Sequence, residues 1–188
     1  MLGIVLEDQG HRLFARTHFE QSLALSDPHQ PSSAYSFAQN PRTTGLARLA
    51  WVLYSLGYPA QAVKKVQEAL SLARHLAHPF SLVQVLTYAA EIHEHRGEHH
   101  IAHKLEEELL ILSHEHGFAY WSTEGVIRRA WTLTRQGHTA EGLAQLRHAV
   151  AILQARGEEI AQPYALYRLA DAHGRAGDGD RDHHRRHR

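Results

Sequence analysis

Five glycines, Gly10, Gly57, Gly97, Gly137 and Gly177, sit in one frame of small residues, and the last four are evenly spaced. Seven positions before each stands Gly3, Ala50, Ala90, Ala130 or Ala170. Five positions after the first four stand Ala15, Ala62, Ala102 and Gly142; twelve after stand Ser22, Ala69, Leu109 and Ala149. A fixed period, marked by small residues at fixed offsets, is the signature of a helical repeat array. The stretch Leu46 to Ala73, LARLAWVLYSLGYPAQAVKKVQEALSLA, is its clearest copy and reads as two amphipathic helices around a turn at Gly57. Two antiparallel helices approach closely only where side chains are small, so one Ala or Gly on each fixes the crossing point. The turn glycine supplies the positive φ that helix ends often require. Leu49, Leu53, Val66 and Leu70 are then placed to fill the gaps between copies.

In chain order the pattern predicts helices over Met1–Gln9 and His11–Ser26, the latter offering Leu13, Phe14, Phe19, Leu23 and Leu25 for burial. A Pro-, Ser- and Asn-rich insertion over 27–45 makes the first interval, Gly10 to Gly57, longer than the others by about two helical turns. One helical turn is expected within it, around Ser33–Ala38. Helix begins again at Pro41 and runs to Leu56, and its partner covers Pro59–Leu76. Pro79 opens the next helix, to Arg96, in the favoured first-turn place, with Leu82, Val85, Leu86, Ala89 and Ile92 turned inward. His99–His114, Phe118–Arg135, Thr139–Ala155 and Glu158–His173 complete the series. Beyond Gly177 the chain reads DGDRDHHRRHR, with no apolar residue. Residues 178–188 are therefore expected to be a disordered polar tail, leaving the last first-helix (Ile160, Tyr164, Leu166, Leu169) without its partner. Both ends then lack the polar caps that repeat arrays need, as in a section cut from a longer array.

Composition removes several classes of function. There are 20 Lys plus Arg against 20 Asp plus Glu, so no net field draws nucleic acid or an anionic membrane. Lysine occurs only at 64, 65 and 104, which suits the coding bias of a GC-rich genome. The absence of cysteine excludes disulfides, thiol catalysis and cysteine-ligated zinc. No apolar run approaches the roughly 18 residues needed to cross a bilayer, and MLGIVLEDQG lacks the basic start of a secretory signal. A cytoplasmic location is expected.

The segments LGYPAQAV, EALSLARHLAHPFSLVQVLTYAAEIHEHRGE, HGFAYWSTEGVIRRAWTLTRQGHTAEGLAQLRHAV and GEEIAQPYALYRLADAHGRAG carry a resemblance. They are similar to the C-terminal tetratricopeptide-like region of large bacterial signalling proteins. Those proteins resemble predicted ATPases, often with a class III adenylate/guanylate cyclase domain ahead of the P-loop ATPase domain. The resemblance runs from about Gln9 to Gly177, and the GQDP-like segment of that group appears here as the divergent Ala38-Gln39-Asn40-Pro41. It implies an all-α, right-handed solenoid of antiparallel helix pairs over 1–177, with a period of about 40 residues. It also implies that the chemistry of such proteins lies upstream of this segment. No Gly-Lys pair is present to make a Walker A loop, and no strand pattern offers the two metal-binding aspartates of a cyclase.

Other constellations give weaker signals. His93, His95, His99, His100 and His103 crowd the Gly97 turn, with His114 and His116 further along. His99 and His103 share a helical face at a metal-compatible spacing, but there is no HExxH and no carboxylate at a ligand position. Solvated turns and adventitious binding account for them. No GxSxG elbow accompanies the serines, and the basic tail has no interleaved aromatics. No catalytic residue, cofactor or metal is expected.

In tetratricopeptide-like arrays the first helix of each pair lines the concave face. That register selects Trp51 and Tyr54; then Gln84, Thr87, Glu91 and Glu94; then Glu124, Trp131, Thr134 and Arg135; and last Tyr164, Tyr167 and Asp171. Exposed aromatics among polar residues suit a protein or peptide partner, or neighbouring domains of a longer polypeptide. The same aromatics would equally serve as packing between helices. The expectation is a non-catalytic interaction scaffold, with self-association through uncapped ends as a further consequence. The alternatives are a stand-alone small-ligand or metal-binding helical module, and a remnant of a truncated gene.

Overall fold

The computed structural model describes residues 2–26, 40–159 and 161–186, and among these there are nine helices and no strand. They are α1 (Leu2–Asp8), α2 (Arg12–Leu25), α3 (Pro41–Ser55), α4 (Pro59–His75), α5 (Pro79–His95), α6 (His99–Glu115), α7 (Ala119–Arg135), α8 (Thr139–Arg156) and α9 (Gln162–Arg186). The chain forms two compact units, Met1–Leu105 and Glu106–Arg188.

The helix ends follow from local chemistry. Pro41, Pro59 and Pro79 sit in the first turns of α3, α4 and α5, where a missing N–H costs nothing. The Asn40 side chain accepts from the N–H of Arg42 (3.0 Å) and Thr43 (3.2 Å), capping α3. Asn40 N–H in turn donates to Ser81 Oγ at 3.1 Å, tying the start of α3 to the start of α5. Gly57, Gly97 and Gly137 all take positive φ and close the predicted turns inside helix pairs. Gly117 and Gly157 do the same between pairs, half a period further along. The matching position after Gly57 is Ala77, which is forced into the left-handed region at φ 48°. An L-residue there is strained by contact of Cβ with the following carbonyl.

The small-residue frame is where helices meet. Gly3, Ala50, Ala90 and Ala130 are buried, as are Ala15, Ala62, Ala102 and Gly142. The closest approach is in the second unit: a Cβ on Gly142 would lie 2.4 Å from the Ala130 carbonyl oxygen and from Thr134 Cγ2. In the first unit the core consists of Leu46, Leu49, Val52, Leu53, Val66, Val83, Leu86 and Ile92. In the second it consists of Ile127, Leu143, Leu146, Val150 and Leu153 with Ala165 and Ala172. Residues one period apart in sequence touch inside each unit. In the first, Thr44 Oγ1 donates to Gln84 Oε1 (3.4 Å), and Arg48 lies over the Tyr88 ring (5.9 Å). In the second, Trp131 Nε1 donates to Asp171 Oδ2. Register between successive pairs is thus fixed by side chains as well as by shape.

Three expectations are corrected. Pro41 to Gly45, inside the expected insertion, are the first turn of α3; residues 27–39, including the turn expected at Ser33–Ala38, lie outside the described residues. Helix α9 passes through Gly177 to Arg186, where a turn and a disordered tail were expected. Packing needs an apolar face, but a helix closes its own backbone hydrogen bonds without one. Glycine permits a turn and does not compel one. Ala170, with no partner helix opposite its frame position among the described residues, is exposed. Leu13, Phe14 and Leu25 on α2 are also exposed, while Phe19 on the opposite side is buried.

The two backbone features give predictions of opposite sign. Gly142→Ala should destabilise the second unit by about 2 kcal/mol, because the overlapped atom is a backbone carbonyl with no rotamer to yield. Ala77→Gly should stabilise the first unit by about 0.5–1 kcal/mol, relief of strain being partly offset by unfolded-state entropy. Urea-unfolding midpoints of the two variants check both.

Candidate functional site

The thirteen groove residues divide between the units, and each set is built differently. On the first unit, Trp51 and Tyr54 stand three apart on α3 and stack at 6.0 Å between ring centroids, 14° from parallel. His95 of α5 meets both edge-on, at 5.4 Å and 5.8 Å. Its Nδ1 lies 2.8 Å from the Glu91 carbonyl, so that nitrogen carries the proton. Trp51 and Tyr54 are half-buried and His95 is exposed, and Tyr54 also borders an open recess of about 550 Å³ with Gly57, Pro59 and Arg96. Glu91 is half-buried, whereas Gln84, Thr87 and Glu94 are buried. Thr87 Oγ1 donates to its own helix at Val83 O, 3.1 Å. Those three help hold α5 in the fold and offer little to a partner.

On the second unit, rings and guanidinium groups alternate. Arg135 lies over Trp131 (5.2 Å), Arg168 lies over both Trp131 (4.1 Å) and Tyr164 (4.9 Å), and Arg128 lies over Tyr164 (5.0 Å). Cations over ring faces gain more when desolvated, and Arg128 and Arg168 are each only 2% exposed. Glu124 closes one end, accepting from Arg128 Nη2 (2.9 Å) and Nε (3.2 Å). Asp171 closes the other, accepting from Trp131 Nε1 at 2.8 Å and from Arg175 Nε at 3.1–3.2 Å. Burial pushes the Asp171 carboxyl up, but these hydrogen bonds outweigh it and hold the group below its usual range. Thr134 Oγ1 is engaged by Trp131 O (2.7 Å), and Tyr167 is 63% exposed.

Trp131 is not the exposed aromatic its register suggested: it is 7% exposed and belongs to the core. Glu124, Gln84, Thr87 and Glu94 are likewise buried. The residues facing outward are Trp51, Tyr54, Glu91, Thr134, Arg135, Tyr164, Asp171 and, most of all, Tyr167. Sequence reading missed Arg128 and Arg168, and it placed His95 among the turn histidines and not with Trp51 and Tyr54. The signal was available, because Arg48, Tyr88, Arg128 and Arg168 share one place in the repeat frame and Trp51, Glu91, Trp131 and Asp171 share another.

The histidine cluster resolves into separate roles. His93 is buried with Nδ1 2.5 Å from Glu98 Oε2, while Arg96 grips both Glu98 oxygens at 3.0 Å and 2.6 Å. The Arg96 hydrogen bonds, with His93 assisting, lower the Glu98 carboxyl to about 2. Among the described residues no three His, Asp or Glu converge on a metal-sized site, and no helix is long and apolar enough to cross a membrane.

No protein-family profile matches the chain, and no curated protein matches it. Solved structures do match. The nearly identical TPR-like repeats of a Podosopora anserina chain assigned to the kinesin light chains align with a TM-score of 0.66 and 18% identity, over 94% of this chain and 84% of that one. A variant of that protein aligns at 0.67. A Rap protein complexed with Competence and Sporulation Factor aligns at 0.61 and 11% identity, over 94% of this chain and 62% of the Rap chain. At such identities the likeness concerns the fold, which is that of tetratricopeptide-like repeats.

The burial difference between the two tryptophans gives a prediction. Trp131→Ala should cost about 3–5 kcal/mol, as for a large core aromatic, and Trp51→Ala about 1–2 kcal/mol. Chemical unfolding followed by far-UV circular dichroism separates the two.

Proposed function

We propose that the chain is a non-catalytic protein-interaction scaffold whose first-helix faces receive a peptide or a segment of a partner protein. The observation that carries this reading is the Trp51–Tyr54–His95 cluster, three aromatic rings from α3 and α5 held partly open beside a recess. Stacked rings give large contact area at low conformational cost and serve as interface anchors. The Rap neighbour, seen with its factor bound, gives a precedent for ligand recognition on this fold. The finer reading follows from the sequence resemblance: the chain serves as the regulatory repeat region of, or derives from, a larger bacterial ATPase or nucleotide-cyclase-type signalling protein. In that setting the groove takes a neighbouring domain or a protein partner.

A photo-crosslinking side chain placed at Tyr54, and separately at Glu68 on the exposed face of α4, tests the scaffold reading in cells. The expected result is one discrete protein or domain crosslinked from position 54 and absent from position 68. Equal crosslinking from both positions would contradict it. The DNA flanking the coding segment tests the finer reading: a P-loop ATPase domain in frame upstream is expected, and its absence would remove the ATPase–cyclase context.

A further inference from the structure

Three residues of α9 break the burial pattern of the repeat. Leu166, Tyr167 and Ala170 hold the frame places that Leu46, Ala47 and Ala50 hold on α3. Those three residues of α3 are at most 1% exposed. On α7 the same places are Ile127 and Ala130, both fully buried, and the half-buried Val126. On α9 they lie open: Leu166 is 46% exposed, Tyr167 is 63% exposed, and Ala170 is also at the surface. Gly174, one turn further, faces open space, since a Cβ built there would meet nothing within 4 Å. The four share one side of the helix by their spacing. The opposite side, Ala165, Arg168 and Ala172, is buried within the second unit. In the earlier pairs α4 packs on α3, and α8 packs on α7 with Gly142 seated on Ala130. No helix among the described residues does this for α9.

We propose that this face pairs with the same face of a second copy, α9 lying antiparallel to α9 across a two-fold axis beside Ala170. Three observations select that occupant. First, the face is graded in size along the helix, with Leu166 and Tyr167 before Ala170 and Gly174 after it. A two-fold reverses the order, so Tyr167 of each copy enters the open space beside Gly174 of the other. A partner of another sequence would have to supply that reversed gradient, which this chain already carries. Second, Ala170 meets its own counterpart, the small-on-small crossing that joins Ala130 to Gly142. Third, the face bears no carboxylate, ammonium or guanidinium. Asp171 turns away to accept from Trp131, and Arg175 turns to Asp171. No fixed charge on the face calls for an acidic or a basic partner. An isologous contact of this kind closes on itself and stops at two copies.

The test uses the full chain. One helix face buries less than a standard interface, so a Kd on the order of 10 μM is expected. Sedimentation equilibrium from about 2 to about 200 μM should show monomer passing to dimer and to nothing larger. Ala170→Arg buries an unpaired charge on the axis and should raise Kd about a hundredfold. Leu13→Arg, at a comparably exposed apolar residue of α2, should leave Kd unchanged. Because Ala170 is exposed, Ala170→Arg should keep the parent thermal midpoint in dilute solution, so a lost dimer is not a lost fold. The chain has no cysteine, so Ala170→Cys places a single thiol beside the axis. Oxidation of that variant should link two copies, as the close approach at the crossing allows, whereas oxidised Leu13→Cys should stay unlinked. A monomer at every concentration would overturn the proposal. So would a dimer that Leu13→Arg breaks and Ala170→Arg leaves intact.

Discussion

Helices in this chain pair only as closely as their smallest residues allow. The Gly142–Ala130 contact is the limiting case, with no room for one added carbon. Everything else depends on that approach. It brings Leu143, Leu146 and Ile127 into one core, and it sets the angle at which first-helix side chains point away from the pair. In the first unit Ala50 and Ala62 hold the same places with full burial. The left-handed turns, two to each period, return the chain onto itself in register, with Ala77 as the described site where that conformation is imposed on a residue that resists it.

Within each unit, once pairs are stacked one period apart, a first-helix residue meets its counterpart in the next pair. That rule produces the interactions across first helices: Thr44 with Gln84, Arg48 with Tyr88, Trp131 with Asp171. Of the polar groups at these places Gln84 is buried, and it finds its partner, Thr44 Oγ1, on the neighbouring repeat, as buried polar groups must. The two units use the rule differently. One leaves an aromatic cluster half open beside a recess; the other buries an alternation of rings and arginines.

The repeat frame made helix order, turn glycines and crossing residues legible from sequence, because period and residue size are local properties. The structure departs from sequence wherever the outcome depends on what lies opposite. Trp131 reads as a groove aromatic from its register, yet Arg168 and Asp171 on α9 cover it. Leu13, Phe14 and Leu25 read as core from their hydrophobicity, yet no helix among the described residues covers their side of α2. Gly177 reads as a turn by its spacing, yet the residues after it bring no apolar face back onto α9, and the helix runs on.

The stacking rule is tested most directly by a double-mutant cycle on one such pair, Trp131 and Asp171. Trp131→Phe removes the indole donor and keeps a ring; Asp171→Asn keeps the acceptor's shape and removes its charge. With both singles and the double unfolded in urea, the account predicts a coupling of about 0.5–1.5 kcal/mol between the two positions. Additive effects, within about 0.3 kcal/mol, would mean that the two side chains do not meet and that the register of the repeat is wrong.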